Sequence, residues 1–336
     1  MNNPSFDISV NILNEILKVH RRDIQSDKSD MHSHELELIR SVQIPRIQHF
    51  VEAGKPIEFV LPAFPAKSPN PGKVIGRLPD LAERLSLQSL DKLCADIQRF
   101  YTPGAHLTIC SDGRVFGDVI GVDDNDISQY QAVIGRLIAQ KHADHLRLYN
   151  LEDCTRFNAP SRDFDTLRQL MIDNHADSLF AIKSTLMKSD EGVALYRAIS
   201  RFMFEDGLTP DYSGSRTALQ RKAKLMAVEV IQRSWAWGDL LAKEFPHAIR
   251  LSIHPQAPSS LKIGIHMMPT HDCWITPWHG VAVETGGRVV LMSRKNAQLC
   301  GARLVMQDGQ PSHYVMAASQ VDELTPAIVQ WQGAHA

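Results

Sequence analysis

The feature that most limits what this chain can fold into is a repeated switch of hydrophobic period in its first half. Residues 57–61, IEFVL, form a short apolar run fenced by Pro56 and Pro62, which reads as a buried strand. Past a proline-rich stretch, Leu81, Leu85, Leu90, Cys94 and Ile97 recur at helical spacing. A strand-like run at 106–110 follows, then a helical pattern through Ile127, Tyr130, Ile134, Leu137 and Ile138, then a further strand at 146–149. Strand, helix, strand, helix, strand predicts a doubly wound, mostly parallel, Rossmann-like α/β sheet.

The rest of the chain is arranged around that sheet. Ile12, Leu13, Ile16, Leu17 and Ile24 mark a first amphipathic helix, and Leu36, Ile39 and Val42 a second that Pro45 bends or ends. Residues 1–55 are therefore expected as N-terminal helices packed on the core, and 56–336 as a single α/β catalytic domain. Residues 163–244 read as a mostly helical insertion. Short strands then return as IRLSI, LKIGI, GRVVLM and HYVM, a C-terminal group.

Charge and composition exclude some function classes. A formal net charge of −2 implies no bulk attraction to nucleic acid or to a membrane, so an anionic ligand must be held by a local cluster of Lys and Arg. No run of 18 apolar residues is present, and the polar start MNNPSFDISVN does not resemble a secretory signal. The five cysteines are scattered, with no CxxC, and read as reduced thiols of a cytoplasmic protein.

Chemistry is expected where open α/β sheets bind ligands, beyond the carboxyl ends of the strands. Three strand ends here run into polar loops. The first holds Lys67 and Ser68 among Pro62, Pro65, Pro69 and Pro71 and reaches Lys73 and Arg77; an ammonium beside a hydroxyl suits phosphate or carboxylate. The second, Ser111, Asp112, Gly113 and Arg114, offers a proton acceptor and a guanidinium; in isolation an ordinary Asp-Gly turn is the better reading, and its place at a strand end beside the first loop tips it towards function. The third carries His254. Farther on, Ser213, Gly214 and Ser215 before Arg216 form a helix start suited to an anion. The segment 266–280 combines His266, His271, Cys273, Trp274, Trp278 and His279; its spacing fits no usual zinc motif, and the two tryptophans suit an apolar wall for an aromatic ligand. Core packing explains either tryptophan taken singly.

Four stretches together resemble the isonitrile synthase family of PvcA/IsnA type, to which fungal spore-wall formyl-tyrosine enzymes are related. They are LPAFPAKSPNPGKVIGRLPDLAE (61–83), ICSDGRVFGDVIGVDD (109–124), YSGSRTALQRKAK (212–224), and SIHP (252–255) with MPTHDCWITPWHGVAVE (268–284). The resemblance implies that the amine of L-tyrosine or L-tryptophan condenses with C2 of ribulose 5-phosphate and that this carbon becomes an isonitrile. It implies no metal and no organic cofactor. Only small-molecule partners are implied, with the product passed to a separate oxygenase or other tailoring enzyme. Lys67, Asp112 and His254 are the expected catalytic groups, Lys67 also as a possible Schiff-base amine. Ser68, Arg77, Ser111, Arg114, Arg216, His266, Trp274, Trp278 and His279 are expected to bind substrate. Two competing readings are an N-formyl amino acid synthase of the related branch and a phosphosugar-binding protein without turnover.

Overall fold

Ile57–Pro62 (β1) and Ala105–Ser111 (β2) carry β-branched and apolar residues, Leu146–Asn150 (β3) carries leucines and a tyrosine, and each forms a strand. With Ile249–Ser252 (β4) and Lys262–Gly264 (β5) they make one sheet in the order β3-β2-β1-β4-β5, every pair parallel. The computed structural model describes residues 4–21, 29–157, 163–270 and 275–317. The chain winds outward from β1 to β3 and then returns to place β4 on the other side of β1. The topological switch point of the sheet thus lies between β1 and β4.

A parallel sheet must be covered on both faces. On one face Ile57, Phe59, Leu61, Leu107, Ile109, Ile249 and Leu251 pack against the helices Pro4–Leu17 (α1), Ser29–Glu52 (α2), Leu81–Gln98 (α3) and Asp124–Lys141 (α5). On the other, Val60 and Cys110 meet Gly113–Ile120 (α4), Phe164–His175 (α6) and Arg216–Glu244 (α9). Helices Leu179–Leu186 (α7) and Asp190–Gly207 (α8) complete the helical stretch between β3 and β4. Helix α2 runs through Pro45, so the proline does not end it.

A second, mixed sheet has the order β7-β6-β9-β8, built from Val281–Thr285 (β6), Arg288–Met292 (β7), Arg303–Gln307 (β8) and Gln310–Met316 (β9), with the short helix Arg294–Leu299 (α10) between β7 and β8. Helix α3 joins the two sheets: its Leu90, Leu93 and Ile97 belong to the large core, while Leu81, Ala82 and Leu85 pack with Ala282 and Leu291 of the second sheet. Among the described residues no helix is long and apolar enough to cross a membrane.

The expected loop after β2 is instead the start of α4. Asp112 is its N-cap, and a Cβ on Gly113 would lie 2.0 Å from the Pro65 carbonyl oxygen. Glycine is required there because the helix start presses against the loop leaving β1.

Candidate active site

Beyond the carboxyl ends of β1, β2 and β4 lies a cavity of about 290 Å³. The loop leaving β1 forms one wall and is firmly held. Ser68 donates its backbone N–H to Trp278 (2.8 Å), and the Ser111 hydroxyl donates to the Phe64 carbonyl (2.9 Å). Phe64 has φ of 58°, a sparsely populated value for a side-chain-bearing residue, and it is fully buried with its ring 5.3 Å from that of Trp278. Helix α8 supplies the facing wall with Ile199, Phe202 and Met203; α9 adds Trp235 and Trp237.

Asp112 lines this cavity. Its Oδ1 has no hydrogen-bond partner among the described residues, and burial raises its pKa to about 7. A carboxyl group in that range can give and take a proton near neutrality. His254 and His279 open onto the same space. Desolvation, then the charges of Arg21 and Lys262, lower the His254 imidazole to about 4, although the residue as a whole is exposed. His279 is also lowered to about 4 by desolvation, which the nearby Asp206 opposes. Thr276 Oγ1 holds its Nδ1 at 2.9 Å. Both rings are neutral at pH 7, each with a nitrogen able to accept a proton.

Ser68 donates its hydroxyl to Asp206 (2.9 Å), a buried carboxylate of α8 that also pairs with Lys73 at 2.6 Å. Asp206 lies 3.9 Å from His279 Nε2. The sequence reading missed Asp206. It sits at the end of an amphipathic helix, where nothing local distinguishes it from a solvated acid.

Lys67 differs most from expectation. It borders the cavity, but its ammonium is wholly buried, 2.8 Å from both Asp80 and Glu83 and 3.1 Å from the Pro277 carbonyl. Burial disfavours its charge, but Glu83 and Asp80 more than offset this and hold it above the usual lysine range. A permanently protonated amine with its donors engaged is not placed to form a Schiff base. Its carboxylates are the capping box of α3: Asp80 accepts from the Ala82 N–H and Glu83 from the Asp80 N–H, both visible in the sequence as D-x-x-E.

Several other expected residues stand apart from the cavity. Arg114 pairs with Asp124 (2.9 Å), bonds Ser128 and stacks 3.6 Å over Phe164. The Ser111 hydroxyl, besides its bond to Phe64, accepts from Gln131. Arg216 is exposed, 5.3 Å from the Phe204 ring. Arg77 faces a neighbouring groove and pairs with Asp126. His266 accepts from Arg21 (3.2 Å). Trp274, His271 and Cys273 lie outside the described residues; among those described, no group of three His, Cys, Asp or Glu is set to hold a metal. The cavity therefore unites Lys67, Ser68, Asp112, His254, Trp278 and His279 in its lining.

The family model described as pyoverdine/dityrosine biosynthesis protein matches residues 47–305. An L-tyrosine isonitrile synthase of Pseudomonas aeruginosa is 57% identical over 91% of this chain and 94% of its own length. An L-tryptophan isonitrile synthase of Fischerella ambigua is 42% identical over 91% of both chains. The crystal structure of the PvcA protein from Pseudomonas aeruginosa superposes with a TM-score of 0.88 at 56% identity, covering 92% of this chain and 99% of that one. The chain belongs to the pyoverdine/dityrosine biosynthesis family, among its isonitrile synthases.

Proposed function

We propose that this protein converts the α-amino group of an aromatic L-amino acid, L-tyrosine foremost, into an isonitrile, with ribulose 5-phosphate as the carbon donor. The observation that carries this reading is Asp112: a buried carboxyl group with an unpartnered Oδ1 among the described residues and a pKa raised to about 7, in one cavity with two neutral histidines and an aromatic wall. Condensation of the amine with the sugar ketone moves both amine protons onto the departing oxygen, which leaves as water. Asp112 is suited to relay those protons, and His254 and His279 to the proton transfers of the later loss of phosphate and carbon–carbon fragmentation. Phe202, Trp235 and Trp278 offer apolar surface for the aromatic side chain. Tyrosine is favoured over tryptophan by the higher identity to a synthase named for it.

The test is incubation of the purified protein with tyrosine and ribulose 5-phosphate labelled at C2, followed by NMR and mass spectrometry. Label in an isonitrile carbon is expected. Label confined to a formamide, or no turnover with either amino acid, overturns the reading.

A further inference from the structure

The cations around the cavity differ in what neutralises them. Lys67 is matched by Asp80 and Glu83, and Lys73 by Asp206. Two others, Arg250 and Lys262, line the cavity, and among the described residues neither is in an ion pair with a carboxylate. They are register partners on β4 and β5, so their side chains leave the same face of the sheet side by side. Arg250 gives one N–H to the Gly238 carbonyl of α9 (2.9 Å), and among the described residues the guanidinium's remaining donors have no such bond. Asp239, an acid of the helix above, is engaged by His175 (2.8 Å) and Lys243 (2.7 Å). Arg46, hydrogen-bonded to the Ala248 and Leu261 carbonyls, adds positive charge nearby.

Two half-buried like charges in adjacent register are unfavourable without an anion. The neighbouring Ser252 is arranged for the same purpose. Its oxygen accepts from the His254 N–H and from Gln256 Nε2, both at 3.1 Å, which leaves its own proton for an acceptor in the cavity.

We infer that Arg250, Lys262 and Ser252 form a phosphoryl subsite that binds the phosphomonoester end of the sugar substrate. The inference rests on the proposed function for its substrate class. Two positive charges match a phosphate dianion, and a fork of guanidinium donors beside an ammonium suits its oxygens. The α-carboxylate of the amino acid, with one charge, is the competing occupant.

Calorimetric titration with inorganic phosphate and, separately, with tyrosine discriminates between them. Lys262→Met and Arg250→Met are each expected to weaken phosphate binding at least about tenfold, the size of one charge-assisted hydrogen bond, and to leave tyrosine binding within about twofold. Lys262→Arg is expected to retain phosphate. Should Arg250→Met fail to fold, Lys262→Met and Ser252→Ala carry the same test. Phosphate affinity unchanged in these variants, no phosphate binding by the unaltered protein, or a loss confined to tyrosine overturns the inference. If phosphate binding depends on Lys262 but labelled ribulose 5-phosphate gives no isonitrile, the subsite stands and the proposed reaction falls.

Discussion

Lys67 and the Arg250–Lys262 pair border the same cavity, one beyond β1 and the other beside it on β4 and β5, yet their charges are handled in opposite ways. Lys67 is sealed from solvent and held by two carboxylates and a carbonyl. Arg250 and Lys262 are half-buried, open to the cavity and, among the described residues, in no ion pair with a carboxylate. A buried ion pair fixes geometry, because either partner alone is strongly disfavoured. A cation left without an anion is instead suited to bind one. The difference teaches that basic residues near a strand end divide into those that build the site and those that meet ligand, and that the compensating acid decides which.

The largest expected break in that comparison is Lys67→Met. It leaves Asp80 and Glu83 facing each other without a cation, and a loss of about 3–5 kcal/mol in denaturant unfolding is expected. Lys262→Met, by contrast, removes no ion pair seen among the described residues, and its unfolding free energy is expected within about 0.5 kcal/mol of the unaltered protein's or above it. Equal destabilisation by the two substitutions would erase the distinction.

Next in size is Asp112→Asn, expected to lower turnover about 10²–10⁴-fold while the fold persists, measured by product formation beside circular dichroism. Its effect on stability has a definite sign. The folded carboxyl is raised to about 7 from 3.8, so its contribution is fully present below about pH 4 and is lost as pH rises through 7. The variant is therefore expected to melt with the unaltered protein near pH 4 and above it at pH 8. An unaltered gap across that range removes Asp112 as a group held out of its ordinary titration.

A smaller effect is expected at Ser68→Ala, which takes one hydrogen bond from Asp206; a stability loss of about 0.5–1.5 kcal/mol is expected from thermal melts. Smallest is Arg216→Ala, an exposed residue away from the cavity, for which kcat/KM within about twofold is expected. A larger loss there would bring the start of α9 back into the site.

The sheet was legible because its strands and helices differ in period, and that signal is local. Strand β6, within VAVET, was missed as an element because the sequence shows only a short run beside a dense motif. Asp112 and Arg114 were read together as one polar loop. Because α4 begins between them, Arg114 is carried about 200° round the helix axis from Asp112 and meets Asp124 instead of the cavity. His279 and Trp278 were found through their motif, whereas Asp206, Arg250 and Lys262 belong to elements where an acid or a base carries no local mark.

By itself the sequence determined the parallel α/β winding, the strand ends that border the cavity and, through its four long motifs, the family. Those properties follow from neighbours in the chain: periodicity, capping residues and contiguous motif text. Only the tertiary structure decided which charges are compensated. Lys67 finds its acids 13 and 16 positions along the chain, Asp206 reaches Ser68 across 138 positions, and Arg250 and Lys262 meet across a strand pair. Compensation depends on distance in space and on burial, and neither is a function of sequence separation.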